Sequence, residues 1–434
     1  MQGGIVIVGG GAGGLELACK LGRKLGPAKV ALVDSRLYHI WKPSLHEVAA
    51  GTLDIHQEGL SYQMLGHDNG FTFVYGAMTA LDAAVRRLTV APVTATADNE
   101  EVLPERHIEY DSLVIAVGST SNYFGVPGAR EHTISLNGTE DAERFRLKLL
   151  RLLAGAEQEA EEGDQAGLDV VIIGGGATGV ELAAELREAS SVYAVYGFNH
   201  LQVRRDVRIT LLEGAPRILA PLPERVSDAA LRLLNKRAIR VVTDCRVTKI
   251  EKDKVIDAKG NTYHANLCVW AAGIRAPEFL ASLGLPTNGR SGQIEVDDHL
   301  RVKGVPNVYA LGDCAGCVDA SGQPVPPRAQ AAHQQADYLF HTFMRQAAGK
   351  PPLAKPYAYR DYGSLVSIGH RTTVGSLMGA LRGFSWFVEG FLARLMYLSL
   401  HLLHHKAILG PVRTAVLAVA RFLIRRTTPL VKLH

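Results

Sequence analysis

Ile5-Val6-Ile7-Val8 is an unbroken apolar run, and beyond it the period changes: Leu15, Leu17, Ala18 and Leu21 recur at helical spacing. An apolar run without polar alternation predicts a strand covered on both faces, as in a parallel sheet. A second run, Val30 to Val33, ends in Asp34. The same succession returns later: Val170-Val171-Ile172-Ile173, then Val180, Leu182 and Ala183 at helical spacing, then Val207 to Leu212 ending in Glu213. Leu113-Val114-Ile115 and Leu267-Cys268-Val269-Trp270 form a further matching pair. The pattern predicts an α/β chain that contains one strand–helix–strand unit twice, with first turns 165 residues apart.

Glycines stand at both turns, as Gly9-x-Gly11-x-x-Gly14 and Gly174-x-Gly176-x-x-Gly179. In such a turn the first glycine allows the tight bend, the second lets a pyrophosphate approach the backbone, and the third lets helix and strand pack closely. The helix N-terminus then offers unpaired N–H groups and a positive dipole end. Asp34 lies 20 residues beyond Gly14, where a ribose hydroxyl is expected. Glu213 lies 34 residues beyond Gly179, so the second helix is expected to be long or to carry an insertion, with Tyr193 to His200 the candidate. Two such folds call for two dinucleotides. Gly118 and Gly273 end the matching pair of strands and bring backbone close to a cofactor. A later strand from Val308 ends in Gly312-Asp313, whose carboxylate can accept a hydrogen bond from a ribityl or ribose hydroxyl. Pro326-Pro327 predict a helix beginning near Arg328, its positive end beside Asp313.

The intervening chain adds an aromatic, proline-containing loop, Tyr38 to Leu45, at the C-terminal edge of the first sheet. Phe71 to Tyr75 and Leu88 to Val90 suggest inserted antiparallel strands, and His107 to Ser119 a hairpin running into a buried strand. Residues 139 to 166 read as a charged helix followed by a soluble spacer, Glu157 to Gly167. Leu231 to Arg237 reads as a helix, and Val247 to Ile256 with Thr262-Tyr263 as a short meander. Phe384 to Leu403 has helical apolar spacing, but Glu389 and Arg394 make it a poor transmembrane span. After Glu389 there is no acidic residue, whereas Arg394, Lys406, Arg413, Arg421, Arg425, Arg426 and Lys432 are basic. Val412, Val416, Val419 and Leu423 share one side of a helical wheel, with Arg421 and Arg425 opposite. That fits a helix lying in an anionic lipid surface; a dimer interface or an ordinary core helix is the competing reading.

The net charge of +4, without a basic and aromatic pattern, argues against nucleic acid. Five cysteines fit a reducing compartment and no disulfide framework. A first strand at residue 5 leaves no room for a signal peptide, so a cytoplasmic face is expected. Cys314-x-x-Cys317 raises a thiol relay, but two ligands alone do not make a zinc site.

Over nearly its whole length the sequence resembles the two-dinucleotide flavoprotein reductases, and among them the type II NADH:quinone oxidoreductases. Ala329-Gln330-Ala331-Ala332-His333-Gln334 is similar to the quinone-site pattern A-Q-x-A-x-Q of that family, and Ala116 to Gly125 to its signature strand and loop. The resemblance implies two Rossmann-like domains, the second inserted in the first, and a C-terminal membrane-associating helical segment. FAD would take residues 1–140 and 286–345, with Gly9, Gly11, Ala12, Gly14, Asp34, Lys42, Gly118, Asp313 and Ala329 around it. NADH would take residues 141–285, with Gly174, Gly176, Gly179, Glu213 and Gly273. Strands over 346–383 and amphipathic helices over 384–434 would follow. Gln330 and Gln334 would contact or position the quinone, ubiquinone or menaquinone, and Glu181 would serve as an acid near the nicotinamide. Glu213 would favour NADH over NADPH. A non-proton-pumping homodimer on the cytoplasmic face of the bacterial inner membrane is the implied setting. Two departures stand out: Arg328 replaces a small hydroxyl residue, and Ser61-Tyr62-Gln63 replaces a proline- and arginine-containing segment. The competing functions are a flavin-dependent disulfide or sulfide reductase and a flavin-bound redox sensor.

Overall fold

The computed structural model describes residues 4–95, 100–163, 167–197, 200–319, 322–369, 372–378, 385–427 and 431. β1 (Ile5–Val8) runs into the first glycine turn and α1 (Ala12–Leu25), and β2 (Val30–Asp34) lies parallel to β1. The aromatic loop leads to the short helix α2 (Leu45–Ala50). β3 (Thr72–Tyr75) pairs parallel with β2 instead of joining an antiparallel insertion. The helix Tyr62–Asn69 precedes it, so the connection is the helical crossover that a parallel neighbour requires. The antiparallel layer consists of Met78–Asp82, Arg87–Val90 and Arg106–Glu109. Arg106–Glu109 pairs with Arg87–Val90 and not with β4 (Ser112–Ile115), so no hairpin forms there. The chain turns at Tyr110-Asp111 from one layer into the other, and β4 lies parallel to β1.

α3 (Thr139–Glu161) is longer than the sequence pattern implies and takes in the first part of the expected spacer, of which residues 164–166 lie outside the described residues. It buries Phe145, Leu149, Leu153 and Ala156, and Glu157 accepts hydrogen bonds from the His200 and Leu201 N–H groups at 2.9 Å each. Next come β5 (Leu168–Ile173), α4 (Ala177–Val195), β6 (Val207–Leu212), α5 (Glu224–Lys236), β7 (Ile239–Val242) and β8 (Leu267–Trp270). The wide spacing before Glu213 is therefore mainly a long helix. Tyr193 is not in an insertion: it is buried within α4 and donates to the Ala50 carbonyl oxygen of α2 at 3.0 Å. Of the proposed insertion, Phe198 and Asn199 lie outside the described residues.

β9 (Val308–Ala310) returns to the first sheet, whose order is β9-β4-β1-β2-β3. The second sheet has the order Ile134–Ser135, β8, β5, β6, β7. The second unit thus sits between β4 and β9 of the first. α6 (Ala329–Ala347) begins one residue after Arg328, as the prolines predict. A three-stranded antiparallel sheet follows: β10 (Gly363–Ser367), β11 (Thr373–Met378) and β12 (Ser385–Gly390). The helical spacing from 384 is misleading as far as 390, because β12 pairs with β11 along its length; Phe384 itself lies outside the described residues. Backbone pairing with a neighbouring strand overrides the period there. α7 (Phe391–Leu409) and α8 (Pro411–Thr427) close the described chain.

The glycine turns show why the residue types are required. A Cβ on Gly14 would stand 2.0 Å from the Gly9 carbonyl oxygen, and one on Gly179 would stand 1.9 Å from that of Gly174. Gly14→Ala is expected to cost about 1–3 kcal/mol through overpacking of the turn, measured as a lower midpoint of thermal or denaturant unfolding. An unchanged midpoint would show that the turn has room to relax.

Candidate dinucleotide and quinone site

Each fold presents the same cradle. Gly11 and Gly176 are the N-caps of α1 and α4. A Cβ on Gly176 would meet nothing within 4 Å, and one on Gly11 would reach only the Ala116 carbonyl oxygen at 4.0 Å. The second glycine of each turn therefore faces open space while the first and third are crowded by backbone. Asp34 accepts hydrogen bonds from the Gly10 N–H at 2.6 Å and the Arg36 N–H at 2.8 Å. Glu213 accepts from the Gly175 N–H at 2.5 Å and the Ala215 N–H at 2.7 Å. Burial pushes the Asp34 carboxyl above its usual range, against the pull of those two N–H groups. Each carboxylate keeps acceptor capacity beyond the two bonds it makes. Open space, helix N-terminus and acid together fit a dinucleotide in both folds.

Lys42 reaches from the aromatic loop to the Ser119 carbonyl oxygen at 2.8 Å, and the Ser119 hydroxyl donates to Asp313 at 2.7 Å. Burial lowers the Lys42 pKa, with Asp313 opposing the shift. Gly118 has φ +71° and nothing near a built Cβ, whereas at Gly273, φ +70°, a Cβ would strike the Phe124 ring at 2.4 Å. Ala12 and Ala329 are the first residues of α1 and α6. A cleft of about 230 Å³ opens at the α6 N-terminus between Asp313, Pro326, Arg328 and Gln335. Gln335, adjacent in sequence to Gln334, was missed; it is buried and its side-chain oxygen accepts from the Gly312 N–H at 2.7 Å. No periodicity separates two neighbouring glutamines before the helix's contacts are known.

Gln330 and Gln334 both hold the segment leading into β10. Gln330 donates to the Gly363 carbonyl oxygen at 3.1 Å and accepts from the Tyr362 N–H at 3.1 Å. Gln334 donates to the Arg360 carbonyl oxygen at 2.8 Å and accepts from its N–H at 2.9 Å. Arg328 pairs with Asp361 in the same segment at 3.2 Å. The second departure is also accommodated: Tyr62 is buried and donates to the Gly10 carbonyl oxygen at 2.8 Å.

Glu181 is buried at the far end of β10, where it accepts from the Ser367 N–H at 2.9 Å. Gln330 and Glu181 therefore hold opposite ends of one strand, whose held positions lie about 13 Å apart at ~3.3 Å per residue. His46 Nδ1 lies 3.6 Å from the Glu181 carboxylate, and Arg394 of α7 donates to the Ser367 hydroxyl at 3.1 Å. Burial raises the Glu181 pKa, His46 and the Ser367 N–H oppose it, and Glu47 and Glu185 add to it. For His46 burial acts against the imidazolium, but the same three carboxylates outweigh it and the pKa is raised. The sequence offered no pairing for Glu181, because its partners come from α2 and β10.

The fold and cradles define a two-dinucleotide oxidoreductase, and the family model for pyridine nucleotide-disulphide oxidoreductases matches residues 3–336. The type II NADH:quinone oxidoreductase of Haemophilus influenzae is 36% identical over 99% of this chain and 99% of its own. The demethylphylloquinone reductase NdbB of Synechocystis is 29% identical over 87% of this chain and 86% of its own. In fold, the chain superposes on NDH2 from Plasmodium falciparum in complex with NADH with a TM-score of 0.78, at 19% identity and full coverage of both chains. The chain belongs to the type II NADH:quinone oxidoreductases.

All five cysteines are buried and free. Burial pushes the Cys314 thiol up to about 12 and that of Cys317 up to about 11. At pH 8 about one molecule in a thousand would then carry the Cys317 thiolate, and fewer that of Cys314. Iodoacetamide is expected to leave both unmodified in the folded protein, and the double serine variant to keep quinone reductase turnover. Loss of turnover with rapid alkylation would restore the thiol relay.

Proposed function

We propose that this chain oxidises NADH and passes two electrons through FAD to a membrane quinone, ubiquinone or menaquinone. The observation that carries this reading is the paired cradle, two open second glycines each with an acid on its turn, in a chain of this family. FAD would be held by residues 1–140 and 286–345, and NADH by residues 141–285. When bound, FAD supplies the chemistry, accepting hydride from the nicotinamide and releasing electrons singly or in pairs.

The protein's part is placement. Gly11 and Gly176 leave room for a pyrophosphate at the N-termini of α1 and α4. Asp34 and Glu213 stand ready to accept ribose hydroxyls, and Glu213 would repel a 2′-phosphate. The α6 N-terminus, with Ala329 at its first position, favours negative charge beside Asp313 by roughly 0.3–2 kcal/mol. Gln330 and Gln334 fix the segment 360–363 that would wall the quinone site. Glu181 and His46, each with its pKa raised, would hold a shared proton between Oε2 and Nδ1. Anaerobic stopped-flow tests the cycle: NADH should bleach the flavin absorbance faster than NADPH, and a quinone analogue should restore it. Flavin that NADH reduces but quinone leaves reduced would refute the proposal.

We also place the chain on a lipid surface, at the cytoplasmic face and as a homodimer. Among the described residues no helix is long and apolar enough to cross a membrane. α8 instead turns Val412, Val416, Val419 and Leu423 outward, with Val412 75% exposed. Two of its basic residues tie it to the protein: Arg413 pairs with Asp68, and Arg421 with Glu58. Arg425 and Arg426 have no described side chains, and Lys432 lies outside the described residues. A helix with its polar side toward the protein and its apolar side outward suits insertion into lipid. Val416→Glu with Val419→Glu should abolish cosedimentation with phosphatidylglycerol-containing vesicles; retained cosedimentation would remove α8 from membrane binding.

A further inference from the structure

Beside the first nucleotide cradle, three helices converge on one cluster. Glu16 of α1, His333 of α6 and His404 of α7 each direct a ligand-type atom to a common point, all within 4.8 Å of one another. We propose that these three residues form a binding site for a divalent borderline metal ion, zinc foremost, which staples α7 to α1 and α6.

The hydrogen bonds of His39 fix which nitrogen of His404 carries a proton. The Gly10 carbonyl oxygen can only accept, so the His39 Nδ1 that lies 2.9 Å from it is the protonated nitrogen. In the neutral ring His39 Nε2 is then the acceptor, and His404 Nε2–H, 2.9 Å away, donates to it. This leaves the lone pair on His404 Nδ1. His404 is 1% exposed and its Nδ1 has no hydrogen-bond partner. A ring whose one nitrogen is fixed as a donor and whose other is bare is the arrangement found in metal-bound histidines.

The other two ligands suit the same ion. His333 Nδ1–H donates to a carboxylate oxygen of Glu16, a proton the metal would displace, and Trp41 stacks against the His333 ring at 5.9 Å and lies 4.4 Å from that of His404. Lys20 binds the other Glu16 oxygen at 2.5 Å, but it is also paired with Asp337. Two carboxylates and one ammonium leave one negative charge, which suits a dication. Zinc bonds of about 2.0–2.1 Å place ligand atoms about 3.4 Å apart, inside the 4.8 Å that encloses the three ligand atoms here. Two imidazoles and one carboxylate leave a fourth position for water.

The test uses the full-length FAD-loaded protein, stripped with chelator and titrated with Zn²⁺ by calorimetry. A single tight equivalent is expected, and Glu16→Gln, His404→Gln and the supporting His39→Gln should each weaken it about tenfold or more. Zinc-edge X-ray absorption of the wild type should show a nitrogen and oxygen shell with imidazole scattering. A sulfur shell would overturn the proposal, as would affinity unchanged in Glu16→Gln or lost instead on His401→Gln or His405→Gln. Should His404→Gln fail to fold, the isosteric Glu16→Gln carries the same decision.

Discussion

The contact between the third glycine of each turn and the carbonyl of the first sets the geometry on which the rest depends. With no Cβ at Gly14 or Gly179, α1 and α4 start directly over the ends of β1 and β5. That position aims each N-terminus at the space the second glycine leaves open. The acids at the ends of β2 and β6 then close the turn by accepting a main-chain N–H from its middle. Both modules reach this arrangement with different acids, Asp34 and Glu213, so the backbone requirement is shared while the side-chain length is adjustable.

The candidate residues outside the turns are organised by a strand of the C-terminal sheet. β10 begins at Gly363, held by Gln330, and ends at Ser367, held by Glu181. A residue of the first fold and a residue of the inserted fold are thereby fastened to one rigid element. Arg394, from α7, reaches the same end through the Ser367 hydroxyl. The C-terminal region thus serves as a brace across both folds as well as a surface element.

Much of the architecture was legible in the sequence because it is local. Buried parallel strands, glycine turns, terminal acids and the proline-started α6 all announce themselves within a few residues. What was not legible depended on partners far along the chain. Thr72–Tyr75 carries the same apolar content whether it joins a parallel or an antiparallel neighbour, and only the preceding helix decides. Ser385–Gly390 has helical spacing yet pairs with β11. Glu181, Gln330 and Gln334 were identified through resemblance, but their hydrogen-bond partners come from β10 and the segment before it. The burial of Gln335 in place of Gln334 follows from the rotation of α6 against Gly312, which no linear pattern encodes.

α2 lies wedged between the two folds, packed against the core shared by α3 and α4 and tied to α4 by the Tyr193 hydroxyl on Ala50. It leaves the aromatic loop after only a single short 3₁₀ turn, Lys42–Ser44. Any swing of one module relative to the other would drag Trp41 and Lys42 with it and tear a well-packed seam. The packing of α2 therefore ties the position of the aromatic loop to that of the inserted unit.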